Sequence, residues 1–464
     1  MHRGESVRKT GWRAVAGIVF VFDIGLCIWL WTNNSRVWPV GVGLVVMPLL
    51  LLLTTPLFVW AARSETSFDL AGLFATGLLL RFGASFYRFG NGADASVYHA
   101  VGTHLAEDFR HFDFGVNTGS SIPGTGGMRY IAGLVEVVAN GNEFATFLVF
   151  SWLGFFGCVL LYRAFVTALP YADHRRYAVL IMLWPTLLFW PSSIGKDCWM
   201  LFTLGIGALG AARVLVRRPG GYSLLVIGLL AGSLVRPHVS LLELVAFAIA
   251  FLVGRQPDRG GAVTPSSVGK VAGLVVLLVL GGVLAERFGS LVGSQDLTDV
   301  NAVLQINESR TDLGGSSFSP ADPTNPLGYL EAGVTVLYRP FPTEGGGGLE
   351  QTAAAVEAFF LLCLTVASWR RLATIPRRLR TEPYVTFAVC YVLMFVFGFG
   401  TIANFGILAR QRTQVMPFVF VLLCVSAVSL PRKRVPRYEP EPPMGQARST
   451  TRASRSSSSR ATPS

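Results

Sequence analysis

Nine side chains in this sequence are of types that move protons or hold anions: Asp94, Tyr98, His99, Lys196, Asp197, Arg236, Arg339, Arg410 and Arg412. Asp94 opens the polar run Gly92-Ala93-Asp94-Ala95-Ser96-Val97-Tyr98-His99, and a carboxylate there can take a proton from a hydroxyl. Lysine is scarce (Lys9, Lys196, Lys270, Lys433), and Lys196 and the four arginines all lie where apolar segments end. Cations beside hydrocarbon are costly unless an anion meets them. Arginine clamps phosphate oxygens bidentately and lysine supplies a point charge. A lipid-linked phosphate or diphosphate suits such a set. When a sugar leaves that carrier, charge grows on the departing phosphate, and fixed cations stabilise it. Tyr98, His99 and Asp197 complete the candidate binding residues.

Plainer roles compete with each of these. An outer arginine can serve a lipid head group, and Lys196-Asp197 can be a neighbouring ion pair. Asp94 can cap the helix it opens, a role that does not exclude catalysis. His99, His104 and His111 lack a single-face metal spacing, so no metal site is expected. No cofactor is called for; a divalent cation assisting at the phosphate is left open. Asp23, Glu243 and Glu357 fall within apolar segments, where pairing inside a bundle and proton relay are the two options.

The elements that must position these groups follow from composition. The 464 residues are 52% hydrophobic and 14% charged, too apolar for an ordinary soluble protein. Crossing the hydrocarbon layer takes about 20 apolar residues per helix. Twelve segments approach that length: 13–31, 37–60, 68–87, 144–166, 177–194, 198–216, 222–235, 238–254, 270–286, 351–369, 384–400 and 413–430. The expected fold is therefore all-α, a polytopic transmembrane helical bundle of about 12 spans. With the N-terminus cytoplasmic, nineteen inner basic residues and eight in the tail make 27 of the 39. This bias places both termini in the cytoplasm. It also accounts for the net charge of +12 without a nucleic-acid partner, and it implies a multi-pass protein of the plasma membrane.

Residues 1–430 then form one transmembrane catalytic domain with two long extracytoplasmic loops, 88–143 and 287–350, and 431–464 form a disordered basic cytoplasmic tail. In the first loop, Tyr98, Val101, Leu105 and Phe109 recur at helical spacing, as do Met128, Ile131, Leu134, Val135 and Val138. Both stripes suit helices lying in the membrane interface. In the second loop Leu327–Leu337 is too short to span and reads as interfacial or re-entrant. The six cysteines fall inside spans, which implies buried free thiols.

Asp94 with Tyr98 four residues on, the run Gly124-Thr125-Gly126-Gly127-Met128-Arg129-Tyr130, and the turn Pro191-Ser192-Ser193-Ile194-Gly195-Lys196-Asp197 resemble the GT-C class of polytopic membrane glycosyltransferases, over roughly residues 68–240. The resemblance implies an inverting transfer of sugar from a polyprenyl-phosphate-linked donor to a cell-envelope acceptor (glycan, lipid or protein). The active site would face outward among membrane lipids. It implies Asp94 as base, with Lys196 and the outer arginines on the phosphate. Ala95 stands where many members carry a second acid. Arg339-Pro340-Phe341 and Gly406–Arg412 are more similar to membrane polysaccharide polymerases of the O-antigen or exopolysaccharide type, which join lipid-linked repeat units. A transporter or flippase of lipid-linked sugar is the alternative from another class; broken helices meeting at mid-membrane would mark it.

Overall fold

Lipid offers backbone N–H and C=O groups no partner, so apolar runs of spanning length have to be helical. The computed structural model describes residues 3–33, 35–91, 93–254, 278–289, 318–344 and 348–427, and among these no strand occurs. The helices are α1 (Arg3–Asn33), α2 (Gly43–Ser64), α3 (Leu70–Arg88), α4 (Ala93–Arg110), α5 (Thr125–Ala139), α6 (Glu143–Ala168), α7 (His174–Leu183), α8 (Pro185–Phe189), α9 (Lys196–Leu215), α10 (Gly221–Ser233) and α11 (Pro237–Val253). They continue with α12 (278–289), α13 (Pro326–Tyr338), α14 (Gly348–Ala367), α15 (Pro383–Phe399), α16 (Phe405–Gln411) and α17 (Met416–Cys424). The expected tail 431–464, the 290–317 stretch of the second loop and the first part of the 270–286 segment lie outside the described residues.

Six helices among the described residues are long and apolar enough to cross a membrane, or eight if two bent pairs each count as one span. The expected twelve reduce for identifiable reasons. Pro185 has no N–H to give and pushes Trp184 out of the helical region, so the 177–194 segment breaks into α7 and α8. The 222–235 and 238–254 segments become helices of 13 and 17 residues, short of the about 20 that a span requires. The 413–430 segment becomes α17, nine residues long, bent by 57° from the stretch Phe405–Gln414.

Burial separates the spans into two kinds. α3, α6 and α9 are mostly enclosed, whereas α1, α2 and α14 expose most of their apolar surface. α6 packs closely on α9, where the backbones nearly touch: a Cβ on Gly157 would lie 2.5 Å from the Leu201 carbonyl oxygen. Small residues at membrane helix crossings permit such approach. Arg81, fully buried in α3, donates to Cys158 Sγ at 3.0 Å and to the Leu187 carbonyl. It therefore faces the bundle and uses a carbonyl left open at the end of the broken α8.

The first polar loop contributes α4 and α5. Their apolar stripes are spent largely on each other and on the bundle: Tyr98, Leu105, Phe109, Met128 and Ile131 are buried, while Leu134 and Val138 still face outward. All six cysteines are free; Cys363 is exposed.

Candidate functional site

The site is built where four helices begin. Asp94 is the second residue of α4, Thr125 the first of α5, Lys196 and Asp197 the first two of α9, and Arg236 directly precedes α11. Helix N-termini carry unsatisfied N–H groups and a partial positive charge, which favour anions. The α5 start is pressed onto the α10–α11 turn: Gly124 N–H donates to Leu234 O at 3.0 Å. A Cβ on Gly127 would lie 2.0 Å from that oxygen, so only glycine permits the approach. Lys196 Nζ thereby reaches Thr125 Oγ1 at 3.0 Å.

A chain of ion pairs runs outward from the bundle. Arg236 Nη1 lies 3.1 Å from Asp197 Oδ1, Arg410 Nε pairs with Asp197 Oδ2, and Arg410 Nη1 lies 3.2 Å from Asp94 Oδ2. The Asp197 side chain is 3% exposed and that of Asp94 is 64% exposed. Asp197 is thus the buried anchor of two arginines, and Asp94 is the carboxylate presented at the mouth. Tyr98, on the same face of α4 as Asp94, is hydrogen-bonded to Thr125; burial, and then Asp94, raises its pKa. It stays protonated and able to donate.

Arg88, at the end of α3, joins this group. Its guanidinium lies 5.0 Å from the ring centres of both Phe189 and Trp190, in the field of Arg410, Glu350, Asp197 and Asp94. Its Nε is buried without a hydrogen-bond partner among the described residues. Arg88, Lys196, Arg236 and Arg410 set against Asp94, Asp197 and Glu350 leave one positive charge in excess. Sequence reading missed Arg88; the signal available was a cation at the last residue of a span, with an aromatic pair, Phe189-Trp190, just before the Lys196 turn.

Phe189 and Trp190 also wall a cavity of about 700 Å³ with Tyr87, Pro185, Leu349 and Phe405; Glu350, Glu357 and Arg412 are its charged members. Apolar walls with a few convergent polar groups are the usual character of a ligand site. Glu357, from α14, accepts from Thr186 N–H at 2.9 Å and from the Thr186 hydroxyl. This in-span acid is therefore paired inside the bundle.

Three expected members stand apart. His99 Nδ1 lies 2.7 Å from Glu136 Oε1. Arg339 holds Glu344 at 2.5 Å and stacks on Phe318 and Phe405 at 4.8 and 5.0 Å; its hydrogen bond keeps the Glu344 carboxyl below the usual range. Arg412 is buried and donates to Val336 O at 2.8 Å and to Arg339 O, tying the end of α13 to α16. The structure thus brings Asp94, Tyr98, Lys196, Asp197, Arg236 and Arg410 together. It gives His99, Arg339 and Arg412 other partners. Comparison with protein-family models, curated proteins and solved structures finds no match for this chain.

Proposed function

We propose that this chain is a membrane glycosyltransferase that moves a sugar from a polyprenyl-phosphate-linked donor to an acceptor hydroxyl on the extracytoplasmic face, with both termini cytoplasmic. The observation that carries this reading is a junction. Arg88 belongs both to the cation cluster and, through Phe189 and Trp190, to the wall of the apolar cavity. An amphiphilic phosphate has just these two parts, a charged head and an apolar tail.

In this reading Arg88, Lys196, Arg236 and Arg410 meet the phosphate. The acceptor oxygen attacks the anomeric carbon and its proton passes to Asp94. The bond from that carbon to the phosphate oxygen breaks with its electron pair, and polyprenyl phosphate leaves. Charge grows on the phosphate as this bond stretches, and preorganised cations favour that stage over the ground state. Asp94 is held by Arg410 in the free protein; a phosphate that takes Arg410 releases Asp94 to accept the proton. Asp197, buried and doubly paired, orients the arginines from behind.

A second reading, polymerisation of lipid-linked repeat units, draws on the meeting of Arg339-Pro340 with Phe405–Arg412 at the cavity wall. Mass spectrometry of lipid-linked intermediates after deletion of the protein separates the readings. Accumulated monosaccharide carrier supports the transferase. Accumulated oligosaccharide repeat units support the polymerase, and carrier retained on the inner leaflet supports transport and overturns both.

A further inference from the structure

Glu136 is completely buried in α5, yet it belongs to no part of the ion-pair chain. Its Oε1 is met by His99 Nδ1 at 2.7 Å and by Thr146 Oγ1 at 2.8 Å, from α4 and α6, and its Oε2 has no hydrogen-bond partner among the described residues. A buried carboxyl lacking a full set of partners is costly, so losing either neighbour should be felt. The groups facing His99 are Glu136 from α5 and Glu143, the first residue of α6; Ser96 Oγ donates to Glu143 Oε1 at 3.3 Å. Farther along α4, Arg110 donates to the Glu136 carbonyl and to Asn140 Oδ1, both at 3.2 Å.

Apart from the Tyr98–Thr125 hydrogen bond at the start of α5, much of the remaining contact between α4 and α5 is close apolar packing. A Cβ on Gly102 would lie 3.1 Å from Ala132, and one on Gly133 would lie 2.7 Å from the Phe109 ring. Such surfaces fix the separation of two helices better than their rotation and register, whereas a buried polar pair specifies one register. Asp94 lies five residues before His99 on the same helix.

We propose that Glu136, acting through His99, is a positioning residue that pins α4 in the register placing Asp94 and Tyr98 over the cation cluster, and that the pin loosens when His99 loses its proton. The pin itself rests on the structure alone; its consequence for turnover rests on the reading of Asp94 as the base. The Glu136 hydrogen bond, outweighing burial, raises the pKa of His99. The His99–Glu136 contribution is therefore full below the ordinary histidine value of about 6.5 and is lost as pH rises through the higher folded value.

A nitroxide on Val97→Cys, an exposed position of α4, reports the pin in a Cys363→Ser background that removes the exposed native thiol. In otherwise wild-type protein its mobility should rise in one transition on the alkaline side. Glu136→Gln should shift that transition to lower pH, and His99→Gln, which can donate but does not titrate, should abolish it. A transition unmoved in Glu136→Gln, one that persists in His99→Gln, or a label immobile throughout overturns the proposal. If Glu136→Gln does not fold, the wild type against His99→Gln decides alone. With a polyprenyl-phosphate-linked sugar as donor, turnover should fall tenfold or more across the same window in wild type but not in His99→Gln. An intact label transition with no polyprenyl phosphate binding at any pH supports the pin and sinks the transferase reading.

Discussion

Arg410 meets Asp94 across 316 positions of sequence, with Nη1 to Oδ2 at 3.2 Å. The pair joins the start of α4 to the end of α16, and a second bond from Arg410 continues it to Asp197 in α9. An arginine between an exposed and a buried carboxylate can be released by the first while kept in place by the second. That asymmetry gives Asp94 and Asp197 different consequences on removal.

Asp94→Asn takes away the proton acceptor and keeps the shape. Positioned general bases contribute about 10²–10⁴ in rate, so turnover of a polyprenyl-phosphate sugar in detergent should fall by that order. Donor affinity should hold or tighten, because Arg410 loses a competing carboxylate. Undiminished turnover in reconstituted membranes would falsify the assignment of Asp94 as base.

Asp197→Asn acts on stability instead. It leaves Arg236 and Arg410 without their buried counter-charge, and breaking a buried ion pair on one side costs about 3–5 kcal/mol. Thermal unfolding in detergent should show a large drop in Tm for Asp197→Asn and almost none for Asp94→Asn, whose carboxylate is mainly solvated. Equal Tm values for the two variants would contradict the anchor role.

The helical character of the chain was legible from apolar runs, and so was the approximate start of α4, α6, α9 and α11. The span count was not. Hydropathy averages over Pro185 and cannot tell a 17-residue helix such as α11 from a full crossing. A gathering of Asp94, His99, Lys196, Asp197, Arg236, Arg339, Arg410 and Arg412 was expected from residue type; the structure brings Asp94, Lys196, Asp197, Arg236 and Arg410 together and gives His99, Arg339 and Arg412 other partners. What sequence could not assign was depth. Arg412 and Arg410 are two residues apart, yet one turns inward to the Val336 and Arg339 carbonyls while the other faces Asp94. Likewise His99 follows Tyr98 directly, but the helix carries it round to Glu136.

Arg88→Gln and Lys196→Gln probe the head-group part of the site. A hydrogen bond to a charged group contributes about 1.5–3 kcal/mol, or about ten- to a hundredfold in Kd. Equilibrium binding of polyprenyl phosphate should weaken by that factor in each variant and should weaken further with added salt in the wild type. Should Arg88→Gln bind as tightly as wild type, Arg88 is only an aromatic-stacked structural cation and the junction argument loses its first half.

Ala409→Phe tests the second half. Ala409 is buried and lines the 700 Å³ cavity beside Phe405 and Gly406, so a phenyl ring there takes up tail volume. Neighbouring Arg410 keeps its own bonds to Asp94 and Asp197. Each buried methylene of a chain is worth about 0.8 kcal/mol, so a ligand whose tail is excluded from several such contacts should bind orders of magnitude more weakly. A phosphate carrying only one or two isoprene units should bind the variant and the wild type alike, because its interaction is with the cations. If long- and short-tailed phosphates lose affinity equally, the substitution has disturbed the head-group site and the cavity has no claim on the tail; if neither changes, the tail lies elsewhere on the protein.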